Sequence, residues 1–373
     1  MNTCFMRFKF KFIALLIFQL ASYTLAADID LSKSSKEKID ALVHEEIEKQ
    51  DAVGLAIGVI KNGEIVYLQQ YGYSDLKKKQ KVSLGTKFRW ASIGKPLAAV
   101  AAMQLAEQGK LDLDADIRKY VPEFPDKSVK ITTRQLLSHL GGVVHYSNGP
   151  VVKTKRTYES KHPYEDVILA LDTFKESPLV CKPGEKFSYT SHGYILLSAV
   201  IQRAGEEKFA DQVKNRICRP LKLRTLQPDY QWKRITNRAK GYKKKSGEVI
   251  ESTDTDVSWK LGAGGWISSI NDLAQFAKAL LGDDFVSEEL KKQMWSRQNT
   301  SDGSLVGYGL GFRLSGSYPE DNLVVEHDGL QEKARSLMRL KLKENAGVVI
   351  MSNSEYLNPY KFSDLIFKIL KDE

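Results

Sequence analysis

Phe88-Arg89-Trp90-Ala91-Ser92-Ile93-Gly94-Lys95-Pro96-Leu97-Ala98-Ala99-Val100 is the stretch around which the rest of the chain falls into place. Its serine and lysine stand three apart at the entry of an alanine-rich run, predicted to be helical over residues 92–108. That spacing puts both side chains on one helical face. A serine hydroxyl becomes a nucleophile when a neighbouring base takes its proton. A lysine serves as that base when burial or nearby positive charge lowers its pKa. Phe88, Trp90, Ala91, Leu97, Ala98 and Val100 make the surroundings apolar, and a helix start directs N–H groups and partial positive charge at the reacting end. Pro96 falls in the first turns, where a missing N–H is tolerated. Ser-x-x-Lys is nevertheless common, and taken alone it reads better as a capping serine followed by a solvated lysine.

On the N-terminal side, residues 32–50 carry Ile39, Leu42, Val43 and Ile47 at helical spacing. Residues 53–60 and 65–71 are apolar, β-branched runs separated by Lys61-Asn62-Gly63-Glu64, and Asn-Gly is the strongest short signal for a hairpin. Near the C-terminus, strands are predicted over 311–316, 322–327, 336–342 and 347–352, then a helix over 362–370 with Leu365, Ile366 and Ile369 on one side. Between these ends the patterns are helical, over 133–139, 163–174, 193–204 and 271–281. Such an order predicts an α/β (α+β) fold: one antiparallel sheet built from both chain ends, flanked by helices, with a helical subdomain inserted. The sheet subdomain is placed at about 27–105 and 260–373, the helical one at about 106–259. No repeat or low-complexity linker divides the chain.

Composition narrows the class. With 42% hydrophobic, 10% aromatic and 27% charged residues, the chain is neither collagen-like, nor disordered, nor a disulfide-packed miniprotein. Arg7, Lys9 and Lys11 precede an apolar block over residues 12–20, and Thr24 and Ala26 are the small residues of a cleavage site before Ala27. This reads as a signal peptide over 1–26 and a mature chain over 27–373, hence an exported, periplasmic or secreted protein. The block is too short to span a membrane and too uniformly apolar for a mitochondrial presequence. The formal net charge is +10. Its two basic runs, Lys77-Lys78-Lys79 and Lys243-Lys244-Lys245, are assigned to turns and carry no interleaved aromatics, which argues against nucleic acid as a partner. Association with an anionic cell envelope stays open. Cys4 leaves with the leader, and whether Cys181 and Cys218 form a disulfide is left undecided.

Two further motifs follow in chain order: Phe187-Ser188-Tyr189-Thr190-Ser191-His192-Gly193-Tyr194, after the turn Cys181-Lys182-Pro183-Gly184, and Glu326-His327-Asp328-Gly329 at the end of a predicted strand. Together with Ser92 and Lys95 they make the chain resemble the serine β-lactamase and penicillin-binding-protein-like hydrolases of the class C and esterase/peptidase branch. There Ser-x-x-Lys, Tyr-x-Asn and Lys-Thr-Gly or His-x-Gly occur in that order; a related motif set is general knowledge. The likeness extends to Leu111-Asp112-Leu113-Asp114, Tyr120-Val121-Pro122-Glu123-Phe124-Pro125, Leu136-Leu137-Ser138-His139, His145-Tyr146 and Gly264-Gly265-Trp266-Ile267-Ser268, and is greatest toward the mitochondrial β-lactamase-like serine proteases and their bacterial relatives.

The resemblance implies a role for each matching residue. Ser92 is the acylated nucleophile, Lys95 its proton acceptor, and Tyr189 a general acid/base whose phenolate the Lys95 charge favours. Ser191 takes the place of the motif's asparagine and offers a single hydroxyl for a substrate amide. His327, on an edge strand facing the site, replaces the usual lysine, with Asp328 beside it. Gly329 leaves room for substrate backbone, and the Leu330 N–H joins that of Ser92 in an oxyanion hole. The segment Leu330-Gln331-Glu332-Lys333-Ala334-Arg335 is bulkier than in relatives and narrows the cleft, with Arg335 available to a substrate carboxylate.

No metal or cofactor is expected. His44, His139, His145, His162 and His192 lack a second ligand at metal-binding spacing and read as packing or surface residues. Gly307-Tyr308-Gly309-Leu310-Gly311 reads as close backbone packing, and Trp90 stands where a Gly-x-Ser-x-Gly elbow needs its first glycine. The reading is therefore a serine hydrolase that cleaves an amide or ester in a small-molecule or peptide substrate. A true β-lactamase or D-alanyl carboxypeptidase, and a non-catalytic scaffold of the same fold, are the alternatives.

Overall fold

The computed structural model describes residues 30–320 and 322–373, so the leader expected over 1–26 lies outside the described residues. Ser32 caps α1 (Lys33–Gln50) by accepting from the Ser35 N–H, and Ile39 and Val43 are its buried stripe. The hairpin β1 (Gly54–Lys61) and β2 (Glu64–Asp75) turns at Asn62 and Gly63, whose φ angles of 51° and 75° are what a two-residue type I′ turn needs. β3 (Gln80–Lys81) and β4 (Phe88–Arg89) lead to a single 3₁₀ turn, Ala91–Ile93, and then α2 (Gly94–Glu107).

The middle of the chain supplies α3 (Thr133–Leu137), closed by a Thr132/Gln135 capping box, then α4 (Val167–Ala170), α5 (Ser191–Ala204) and α6 (Phe209–Val213), which runs into a π-helical turn, Lys214–Cys218. The helix expected over 163–174 is broken into two 3₁₀ turns around α4, with Pro163 opening the first and Asp166 capping α4 itself. β5 (Gln227–Pro228), the hairpin β6 (Tyr242–Lys245) and β7 (Glu248–Glu251), α7 (Leu261–Gly264), β8 (Trp266–Ser268), α8 (Ile270–Leu281) and α9 (Glu288–Met294) follow. Lys243-Lys244-Lys245 thus lies in a strand rather than a turn; the turn is Ser246-Gly247, both at positive φ. The chain closes with β9 (Arg313–Leu314), β10 (Val324–Gln331), β11 (Ala334–Lys341), β12 (Ala346–Ser352) and α10 (Pro359–Lys371).

Seven strands form one sheet in the order β3-β2-β1-β12-β11-β10-β9. β1 pairs antiparallel with β12, Leu55 opposite Ser352, which is how the two chain ends build one sheet. Successive β1 residues face opposite sides. Leu55, Ile57 and Val59 pack with α1 and α10 residues such as Ile39, Val43, Phe362 and Ile366. Ala56 and Ile60 face the larger core formed with α2, α5 and α8. Burial on both faces explains why β1 reads as a continuous apolar run. In α10 the buried face carries Phe362, Ile366 and Phe367, and Leu365 is exposed, contrary to the expected Leu365 side. Cys181 and Cys218 are free thiols.

Gly311 sits at φ 96°, and a Cβ there would collide with Ala99 of α2. That conformation also ends the strand expected over 311–316, leaving only β9. Gly311→Ala is expected to destabilise the fold by about 2–5 kcal/mol, combining a left-handed backbone penalty with overpacking against the helix that carries Lys95. Urea unfolding checks this.

Candidate active site

The turn that carries Ser92 is fastened before it begins. Trp90 is fully buried; its N–H donates to the Trp266 carbonyl at 2.8 Å, its indole N–H to Ser268 Oγ at 2.7 Å, and its carbonyl accepts from Ser336 Oγ at 2.8 Å. Strands β8 and β11 therefore fix the residue two positions ahead of Ser92. Ala91 then takes φ 49°, a left-handed conformation costly for alanine, and turns the chain so that half-buried Ser92 stands at the head of α2.

Lys95, one turn later, is completely buried. Its amine lies 3.0 Å from Ser92 Oγ, 3.4 Å from Ser191 Oγ and 3.3 Å from the Ala263 carbonyl. Among the described residues no carboxylate pairs with it. Burial, then the charges of Lys260 and Arg313, push its pKa well below the ordinary lysine value. The solvated-lysine reading of the motif is thereby excluded by geometry.

Tyr189 approaches from α5's entry. The Lys95 amine is 4.7 Å from its ring centroid. Burial raises the phenol pKa, against the opposing effects of Ser92 and of Arg313. The expectation that a Lys95 cation favours a Tyr189 phenolate is therefore corrected. The amine is pushed toward its neutral form, and the phenol toward keeping its proton.

Three histidines hold this segment, all pushed toward the neutral form by burial. His139, at φ 60°, brackets Tyr189: its carbonyl accepts from the Ser188 N–H at 2.9 Å and its Nδ1 from the Thr190 N–H at 3.1 Å, while its ring packs 4.3 Å from that of Tyr189. An accepting Nδ1 places the proton on Nε2, which is buried without a partner. His145 Nδ1 accepts from the Ser191 N–H at 3.0 Å; burial, then Lys95, lowers it to about 4. His192 stacks on Phe174 and binds the Val144 carbonyl. Residues that read as packing histidines in the sequence thus orient the Tyr189–Ser191 segment, and their signal was the Leu136-Leu137-Ser138-His139 and His145-Tyr146 text.

The third motif is placed differently from expectation. His327 is wholly buried, not facing an open cleft: Nε2 accepts from the Tyr308 hydroxyl at 2.9 Å and Nδ1 donates to the Asp328 carbonyl at 2.7 Å. Gly329 does not reserve space for substrate; a Cβ there would meet Ser336 Oγ and the Trp90 carbonyl, so the glycine lets β10 lie against the catalytic turn. Asp328 is paired with Arg335 at 2.7 Å and with Arg313 at 3.4 Å. Arg335 is spent on that pair and on the Leu357 carbonyl, and is not free for a carboxylate. Arg313, absent from the sequence-derived set, has its guanidinium 5.4 Å from the Tyr189 ring and stays partly exposed. Leu330 is exposed and, with Tyr146, Tyr164, Trp259 and Lys260, lines a cleft of about 620 Å³ beside the site.

A hydroxyl, a buried amine of lowered pKa and a phenol, gathered on this sheet-and-helix frame, are the arrangement of the serine hydrolases of β-lactamase and penicillin-binding-protein type. The beta-lactamase family model matches residues 39–372, and the chain belongs to that family. It is 29% identical over 336 residues to the serine beta-lactamase-like protein LACTB, mitochondrial, of Mus musculus, covering 72% of this chain and 59% of that protein. It is 26% identical to protein flp of Staphylococcus aureus (strain N315), over 88% of this chain and 65% of that one. The chain therefore spans roughly three fifths of the length of these relatives. Among solved structures, the octameric penicillin-binding protein homologue from Pyrococcus abyssi superposes with a TM-score of 0.75 at 23% identity, over 91% of this chain and 78% of that one. The D-amino acid amidase from Ochrobactrum anthropi SV3 superposes at 0.74 and 20% identity, over 91% and 99%.

The site makes a prediction about charge. A side-chain amine NMR titration will find Lys95 losing its proton well below the usual lysine range. Arg313→Gln and Lys260→Gln will each move that midpoint upward, because removing a neighbouring cation makes the protonated amine less unfavourable. A midpoint unmoved by either change would contradict the assigned causes.

Proposed function

We propose that this chain is an exported serine hydrolase that cleaves an amide or ester, peptidase- or esterase-like, through an acyl-enzyme on Ser92. The observation that carries the reading is the buried Lys95 amine, 3.0 Å from Ser92 Oγ, with only neutral oxygens as partners. The almost fully buried Lys291, by contrast, is paired with Asp283.

In the proposed sequence, Ser92 Oγ attacks the carbonyl carbon while its proton passes to Lys95. The negative oxygen of the tetrahedral intermediate is held by the N–H groups of Ser92 and Leu330, donors worth ~10²–10³ in turnover each. Tyr189 donates its phenol proton to the leaving nitrogen or oxygen as the bond breaks, and the Lys95 ammonium restores it. Water then attacks the acyl carbonyl, its proton goes to Lys95, Ser92 Oγ departs with a proton from Tyr189, and the Lys95 ammonium reprotonates the phenol, which returns the site to its starting state. The cleft beside Tyr146 and Trp259 receives the acyl part of the substrate. Ser191 steadies the Lys95 amine rather than reaching for substrate, which favours peptidase or esterase substrates over β-lactams or D-alanyl peptides. Amidase and esterase neighbours such as EstCE1, described as a hydrolase with promiscuous acyltransferase activity, support the reaction class.

A fluorophosphonate probe will label the wild type and not Ser92→Ala; a wild type that stays unlabelled would establish a scaffold instead. Lys95→Ala and Tyr189→Phe will retain the fold and lose ~10²–10⁴ in turnover, measured on a panel of p-nitrophenyl esters, aminoacyl amides of both hands and nitrocefin. Nitrocefin as the preferred substrate would transfer the assignment to a β-lactamase. Export is tested by sequencing the mature N-terminus, expected at Ala27.

A further inference from the structure

A second cavity, of about 580 Å³, lies where α6 and its π-helical turn meet β5, and it shares no lining residue with the cleft of Tyr146 and Trp259 beside the site. Lys214, Arg219, Lys222, Arg224 and Lys233 line it against a single acid, Asp211. Lys233 is paired with Glu165. The other four are exposed and form no ion pair among the described residues. Other surface cations such as Arg134, Lys244 and Lys278 are matched, with Asp114, Asp51 and Glu64; what sets these four apart is that they line one concavity.

The shape matters as much as the charge. Behind the cations the lining turns apolar, through Leu226, Tyr230 and Trp266, all buried. The π-helical turn Lys214–Cys218 brings Lys214 and Arg219 to the same mouth as Lys222 and Arg224. A concave, low-dielectric wall of one sign concentrates the field on an anion. Guanidinium forks with ammonium groups beside them match a phosphate dianion, and the volume is that of a small-ligand site.

We propose that this cavity binds an amphipathic phosphate monoester, its phosphate among Lys214, Arg219, Lys222 and Arg224 and its aromatic or alkyl body against Leu226, Tyr230 and Trp266. Trp266 also packs close to Gly94 of the catalytic turn, so the ligand stands behind that turn and outside the cleft. Binding does not require Ser92.

Isothermal titration calorimetry of the full chain with inorganic phosphate, phenyl phosphate and monomeric dihexanoyl phosphatidic acid tests this. At least one organic phosphate will bind one per chain, about tenfold tighter than inorganic phosphate. The double variant Lys222→Ala/Arg224→Ala will weaken it about tenfold, while Lys243→Ala/Lys245→Ala, in the solvated strand β6, and Ser92→Ala leave it unchanged. Circular dichroism confirms that each variant is folded. The tighter of the two esters identifies a soluble ester or a lipid headgroup as the source. Equal affinity of wild type and the cavity variant, no gain over inorganic phosphate, or loss of binding in Ser92→Ala would each overturn the proposal.

Discussion

Lys95 brings an amine into the interior with no carboxylate paired to it among the described residues, and much of the surrounding structure follows from that constraint. An ammonium taken out of water without a partner costs several kcal/mol, on the order of what a whole domain has to spare, so burial drives the Lys95 pKa well down. The neighbours are consistent with this. Its hydrogen-bond partners are neutral oxygens, and the histidines nearest it are themselves driven neutral by burial. Arg313 and Lys260, at the margin, add positive potential that further disfavours protonation.

Holding such a group in place requires rigid walls from distant parts of the chain. β8 and β11 pin Trp90, β10 slides against the turn because Gly329 has no Cβ, and Gly311 lets the loop before β9 touch α2. The pairing of β1 with β12 holds the two ends of the chain in one sheet, so walls contributed by its last strands stay in register with a turn encoded near its start. Packing on both faces of that sheet makes the register expensive to shift.

Much of this was legible in the sequence, and the reasons differ by element. The hairpin at Asn62-Gly63 is local turn chemistry, and α1, α5 and α8 announce themselves by periodicity. The α10 face was misassigned because helical spacing marks a stripe without saying which edge of it meets the sheet; Leu365 lies on the outer edge. Lys243-Lys244-Lys245 looked like a turn because charge runs are solvated, yet an exposed two-stranded hairpin solvates them equally well. His327, Gly329 and Arg335 were carried over by motif position, which fixes a residue's place on a strand but not whether its side chain meets solvent, a neighbouring strand or an acid. Arg313 carried no local signal at all.

The order of Ser92, Lys95, Tyr189 and His327 and the alternation of apolar residues determined the family and the sheet-and-helix frame, because both depend on residue type and short-range spacing alone. The protonation of the amine and the phenol, the neutrality of the histidines and the commitment of Arg335 to Asp328 were decided only in three dimensions. Each depends on desolvation and on charges brought within a few ångströms from remote segments, and in the extended chain those energies do not exist.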